Sequence, residues 1–163
     1  MEILYLILSK YLLGYFLQGL GCVLGIYAFC RQKADKKRYW IAAIILTAVL
    51  IGIRLLPINF GVHTLIGIIA MILLGVNWLK LPITQTTISS FLTTVAVLVA
   101  EFINVVIWTS LFGTQKVQEM LQSDLLKAVT GIPSNVIFFI IIAVMYYLLV
   151  IRKCSKDDGK ALS

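Results

Sequence analysis

The sequence predicts an all-α integral membrane protein of five transmembrane helices, with its N-terminus outside and its C-terminus in the cytoplasm. Three observations carry this. Five apolar stretches, each near the roughly 20 residues that a spanning helix needs, fill most of the 163-residue chain. Hydrophobic residues make up 61% of it, charged residues 13%, and the mean hydropathy is +1.01, so water cannot solvate most of its surface. Lysine and arginine concentrate in short segments on one side of the alternation, as cytoplasmic loops require. Short links leave no length for a soluble catalytic domain. One transmembrane domain over residues 1–152 is expected, followed by a polar, disordered cytoplasmic tail over 153–163.

The first span reads from Ile3 to Phe29. Glu2 stands where a signal peptide would be basic, the apolar run is too long for a signal, and the positive charges follow it, so this segment is expected to stay in the mature protein. Arg31, Lys33, Lys36, Lys37 and Arg38 form the densest basic run. They hold the first link in the cytoplasm, facing anionic lipid and a possible protein partner. The second span reads from Tyr39 to Leu56 and the third from Phe60 to Leu79. The short turn Lys80-Leu81-Pro82 leads to a fourth from about Ile88 to Phe112. From Thr114 to Val129, Val117, Met120, Leu121, Leu125 and Ala128 recur at helical spacing with glutamines and charges between them. That period predicts an amphipathic helix on the outer surface, either parked in the headgroups or closing over a cavity. Gly131 is expected to cap it, and Pro133 to open the last span, Ile132 to Ile151. Tyr39, Trp40, Trp78 and Trp108 fall towards span ends, where an aromatic belt belongs. The net charge of +7 follows from the cytoplasmic bias and points to membrane lipids, not nucleic acid.

Ionisable residues inside hydrocarbon cost about 2.5–3.5 kcal/mol each on the insertion scale and usually pair. Arg54 ends an apolar run that places it roughly 22 Å above the inner end of the second span, and Glu101 falls at or above the middle of the fourth. An intramembrane ion pair between them is expected. Asn104 lies one turn from Glu101 on the same face, His63 enters from the outer end of the third span, and Lys10 descends early in the first. Together these five residues would line the outer half of the bundle, as a ligand pocket or as polar glue between helices. Gln18 and Asn77, on the inner side, are expected to hydrogen-bond between helices. Gly21 and Gly25 make a G-x-x-x-G that lets helices approach closely, within the chain or against a partner or second copy.

Each intramembrane chemistry has a residue demand that is not met. Paired carboxylates are absent, since Glu101 is the only acidic residue well inside a span. The thiols of Cys22, Cys30 and Cys154 lie inward while His63 lies outward, which argues against a cysteine nucleophile, a metal set or a disulfide framework. No phosphate-binding loop or zinc-hydrolase motif occurs. A non-enzyme without cofactor or metal is expected.

The stretches Arg54-Leu55-Leu56-Pro57-Ile58-Asn59-Phe60-Gly61-Val62-His63-Thr64, Glu101-Phe102-Ile103-Asn104, Leu125-Leu126-Lys127 and Gly131-Ile132-Pro133-Ser134 resemble the N-terminal membrane sensor of GHKL-type sensor histidine kinases of Firmicutes. The resemblance covers roughly residues 40 to 150. It implies a multi-pass input module of a bacterial cytoplasmic membrane, which reads an extracellular peptide or small molecule and relays it through the fifth helix. The residues after Ile151 show no heptad helix, phospho-acceptor histidine or nucleotide-binding motif. Signalling is therefore expected to pass to a separate partner, or the chain is part of a longer one. Two competing expectations are the substrate-binding component of an importer, docking its energising partner on Gly21 and Gly25, and a structural membrane subunit.

Overall fold

The computed structural model describes residues 14–55, 60–115, 117 and 124–152, without the side chains of 54, 60 and 124–130. The described residues are almost wholly helical and contain no strand. Five helices follow one another: α1 (Phe16–Phe29), α2 (Lys36–Leu55), α3 (Phe60–Asn77), α4 (Ile83–Phe112) and α5 (Asp124–Tyr146), the last continuing as a π-wound turn at Tyr147–Ile151. They run alternately up and down, so that the 30–35 link, the 78–82 link and the end of α5 share one end of the bundle. Residues 116 and 118–123 of the expected amphipathic helix, and the 153–163 tail, lie outside the described residues, while 124–129 form the start of α5 and not the end of a separate surface helix.

Helix α1 is the centre. It packs against α2, α4 and α5 and also touches α3. Nine of its fourteen residues are buried, among them Val23, Ile26 and Tyr27. Such enclosure requires neighbours to come close, and the glycines permit it. A Cβ on Gly21 would stand 2.5 Å from Cε1 of Phe138 on α5, and one on Gly25 would stand 2.6 Å from Oγ1 of Thr93 on α4. Gly21 and Gly25 are therefore spent on packing inside the chain. Of the two uses that the sequence left open, close approach within the chain and contact with a partner or second copy, the structure shows the first.

The start of α4 differs from expectation for a reason visible in its hydroxyls. The helix begins at Ile83, not near Ile88, and runs unbroken for 30 residues to a glycine cap at Gly113, whose φ is 78°. Thr86 and Thr93 have no exposed surface, and Ser89 and Ser90 scarcely any. Oγ1 of Thr86 donates to the Pro82 carbonyl (2.9 Å), Ser90 Oγ to Thr86 (2.8 Å) and Thr93 Oγ1 to Ser89 (2.7 Å). A hydroxyl that donates to its own helix four residues back is small and satisfied, so this stripe can face neighbouring helices. The polarity that suggested an interface thus lies in the interior.

The basic link is also shorter than it reads. Lys36, Lys37 and Arg38 form the first turn of α2, where positive charge opposes the helix dipole. Asp35 offsets this from the capping position: its Oδ1 accepts from the Lys37 N–H (3.1 Å), and its Oδ2 lies 3.6 Å from Arg38 Nε in an exposed pair. Arg31 and Lys80 each end a helix in the left-handed region, with φ of 54° and 59°. A Schellman-type bond closes the first end, from Gln32 N–H to the Tyr27 carbonyl, and at the second the Leu81 N–H reaches back to the Gly75 carbonyl.

Pro133 does not open α5 and Gly131 caps nothing, because both lie inside a continuous helix beginning at Asp124. Proline costs the interior of a helix one hydrogen bond, and nearby hydroxyls commonly compensate in apolar surroundings. Here Ser134 Oγ donates to the Gly131 carbonyl (2.9 Å). Two bonds then tie α5 to the rest: Asn135 Nδ2 donates to the Gly14 carbonyl (3.0 Å), and the Ala34 N–H donates to Tyr146 Oη (3.0 Å).

The outward faces are apolar. Leu65, Ile69 and Leu73 on α3, Phe91, Val95 and Phe102 on α4, and Ile140 and Val144 on α5 are exposed, Phe102 by 69%. Two helices among the described residues, 83–112 and 131–151, are long and apolar enough to cross a membrane. Helices α1 and α3 are apolar but shorter over their described lengths.

The close approach of α1 to α4 is testable. Gly25→Ala should destabilise the detergent-solubilised protein by about 1–3 kcal/mol, as overpacking does, and Thr93→Ala in the same chain should recover most of the loss. A thermal unfolding series in which the two changes simply add would contradict the contact.

Candidate functional site

On the side of the Gly25–Thr93 contact away from the basic link, the helices enclose a partly open cavity of about 350 Å³. Four helices build it from stripes at three- and four-residue spacing: Gln18 and Cys22 on α1, Leu50 and Ile53 on α2, His63, Thr64, Gly67 and Met71 on α3, and Thr94, Val97, Leu98 and Glu101 on α4. The stripes follow from helical geometry, since residues three and four apart share a face. Among the described residues, helix α5 contributes nothing to the lining.

The wall is mainly apolar, with a few polar groups set into it, the usual make-up of a small-molecule pocket. His63 stands in the first turn of α3, and its Nδ1 is buried with no hydrogen-bond partner. Leaving a buried polar atom unmatched costs about 1–3 kcal/mol, so this nitrogen is a local weak point of the ligand-free bundle. Thr94 Oγ1 donates to the Ser90 carbonyl (2.9 Å), which leaves that oxygen only lone pairs to offer. Glu101 adds a half-buried carboxyl, which carries an interaction of its own.

Of the five residues expected to converge, the structure brings His63 and Glu101 into one lining. Asn104 is 8% exposed on α4 but does not line the cavity. Lys10 lies outside the described residues, as does the side chain of Arg54. The backbone of Arg54 belongs to the last turn of α2, one turn beyond Leu50 on the same stripe. The expected Arg54–Glu101 pair therefore also lies outside what is described.

Gln18, Thr64, Thr94 and Cys22 are pocket residues that the sequence reading did not select. Their signal was the shared stripe: Thr94 is seven residues before Glu101, and Gln18 four before Cys22. Asn77, read beside Gln18 as an interhelical partner, is exposed. Cys22 and His63 line the same cavity, which corrects the expectation that bilayer depth separates thiol from imidazole. Cys22 and Cys30 are both free thiols, and both are buried. Burial pushes the Cys30 thiol up, partly offset by its hydrogen-bonding contacts with Ser89 and Thr86; its Sγ lies 3.2 Å from Ser89 Oγ. Among the described residues, no three His, Cys, Asp or Glu side chains gather as a metal site would require.

At the basic end, Arg31, Lys33, Lys36, Lys37 and Arg38 are exposed, together with Lys80 and Arg152. Positive side chains thus crowd one end of the bundle, opposite the end towards which the cavity lies.

No family model, curated protein or solved structure matches the chain.

An orphaned Nδ1 should be visible as a stability defect. His63→Leu is expected to raise the unfolding temperature of the ligand-free protein in detergent, by an amount consistent with relieving part of an unmatched buried group's cost of about 1–3 kcal/mol. Loss of several degrees would instead mean that the nitrogen is satisfied within the fold.

Proposed function

We propose that the chain is a non-catalytic membrane sensor that binds a small molecule within its helix bundle and relays occupancy to a separate partner. The observation that carries this reading is the cavity itself: about 350 Å³, walled by four helices, mostly apolar, with His63 and Glu101 in its lining. On this reading all five helices cross a bacterial cytoplasmic membrane, and the cavity opens towards the outside. The basic end lies in the cytoplasm, against anionic lipid. Outward apolar faces with hydroxyls turned inward are an arrangement suited to hydrocarbon. The resemblance to the input modules of GHKL-type histidine kinases supports the same role.

The relay follows from the double duty of α1. Gln18 and Cys22 line the cavity, and Gly21, between them in sequence, forms the bed for Phe138 of α5. A ligand shifts the equilibrium only by binding one arrangement better than another. Any arrangement that moves α1 must also reseat Phe138, and so moves α5 and its cytoplasmic end. Tyr146 and the basic link, joined through Ala34, lie where a partner would read that movement. The importer reading loses its docking surface, because Gly21 and Gly25 are covered.

Orientation and cavity access can be read in one experiment on intact cells. In a chain with its native cysteines replaced, Thr94→Cys should react with a membrane-impermeant thiol reagent added outside. Lys33→Cys should react only after permeabilisation. The opposite pattern, or no labelling of Thr94→Cys from either side, would exclude an outward-facing ligand site.

A further inference from the structure

We propose that the cavity selects an uncharged molecule, an apolar body carrying one carboxamide head that pairs with the side chain of Gln18. The inference deepens the ligand-binding reading above and rests on it. Leu50, Ile53, Met71 and Val97 give the body a hydrocarbon wall, and about 350 Å³ admits a compact molecule at the lower end of ligand-pocket sizes. Six polar side chains interrupt that wall: Gln18, Cys22, His63, Thr64, Thr94 and Glu101. Five of them have little to offer a ligand. Thr94 Oγ1 has given its proton to the Ser90 carbonyl, Thr64 and Glu101 carry interactions of their own, the Nδ1 of His63 is buried, and a thiol such as Cys22 is a weak donor. Gln18 remains. Its amide is half-buried and brings two N–H donors and a carbonyl on one flat unit. A carboxamide answers both at once, donating to the Gln18 carbonyl and accepting from its N–H in a ring of two hydrogen bonds.

Position disfavours charge on that head. Gln18 and Ala100 each lie seven residues from the Gly25–Thr93 contact, so the antiparallel packing of α1 and α4 sets Gln18 within one residue of the height of Glu101. An anionic head there would be repelled by the carboxylate. A cationic one would compete with the interaction that Glu101 already makes. Either ion would also lose its hydration on entering a mainly apolar cavity. A neutral head meets none of these penalties.

The test uses the full chain in lipid nanodiscs, with empty discs as the blank and cyclohexanecarboxamide as the probe. Acetylcyclohexane, which carries a methyl group in place of the amide nitrogen, the cation cyclohexylmethylamine and the anion cyclohexanecarboxylate are titrated alongside by calorimetry. Saturable binding of the carboxamide is expected, about threefold to tenfold tighter than the ketone, from the worth of one further hydrogen bond, and tighter than either ion. Gln18→Leu should abolish the preference for carboxamide over ketone, whereas Phe102→Leu, a change on the exposed face, should leave it unchanged. The probe series needs no variant, so a failure of Gln18→Leu to fold does not shelter the proposal. Equal affinity for carboxamide and ketone, tighter binding of either ion, or a preference that survives Gln18→Leu would overturn the carboxamide inference and leave a ligand site standing. If no probe binds while Thr94→Cys is labelled from outside, the carboxamide inference falls alone. If no probe binds and Thr94→Cys is unreachable, both fall.

Discussion

Thr93 and Phe138 rest against the bare backbone of Gly25 and Gly21, and these two contacts set where α4 and α5 stand around α1. Everything else in the bundle is arranged by that closeness. Helices that meet this tightly need small groups facing each other. The self-bonded hydroxyls of α4 are small without leaving a buried donor unmatched. On the far side of this level the facing residues are Gln18, Cys22, Thr94, Val97 and Glu101, and there the helices leave the cavity. Close packing in one half and an open space in the other are two results of one distribution of side-chain sizes.

The two halves also differ in electrostatics. The tightly packed half ends in the basic link, the Lys80 turn and Arg152. Asp35 lets three successive positive residues begin a helix by accepting a backbone N–H and facing Arg38. The open half holds His63 and Glu101 among apolar neighbours. Charge is thus concentrated at one surface and rationed in the interior. In hydrocarbon that pattern serves two ends, fixing the orientation of the bundle and keeping the interior ionisable groups few.

Much of this was legible in the sequence, and the misses have identifiable causes. Apolar length located the helices, and α3 begins at Phe60 as expected. The beginnings of α2 and α4 were placed too late because lysines, threonines and serines read as loop. Asp35 capping and hydroxyl back-bonding to carbonyls turn those residues helical. Pro133 read as a boundary, yet the helix passes through it, held beside it by the Asn135 bond to the Gly14 carbonyl. At the site, His63 and Glu101 stood out because ionisable groups are rare in apolar runs. Gln18, Cys22, Thr64 and Thr94 have no such contrast, and only the superposition of four helical stripes makes them neighbours. The partner of a G-x-x-x-G is likewise invisible in one dimension: Phe138 and Thr93 lie far along the chain from the glycines they cover.

The π-wound turn at Tyr147–Ile151 gives the end of α5 a torsional freedom that α winding does not have. A π turn stores one residue beyond α winding, and one residue of an α-helix corresponds to about 100° of phase. Rewinding that turn would swing Arg152, and whatever follows it, to a new azimuth while the helix axis stays in place. The glycine contacts above lie outside that turn, so they could remain intact while the end of α5 presents a different side.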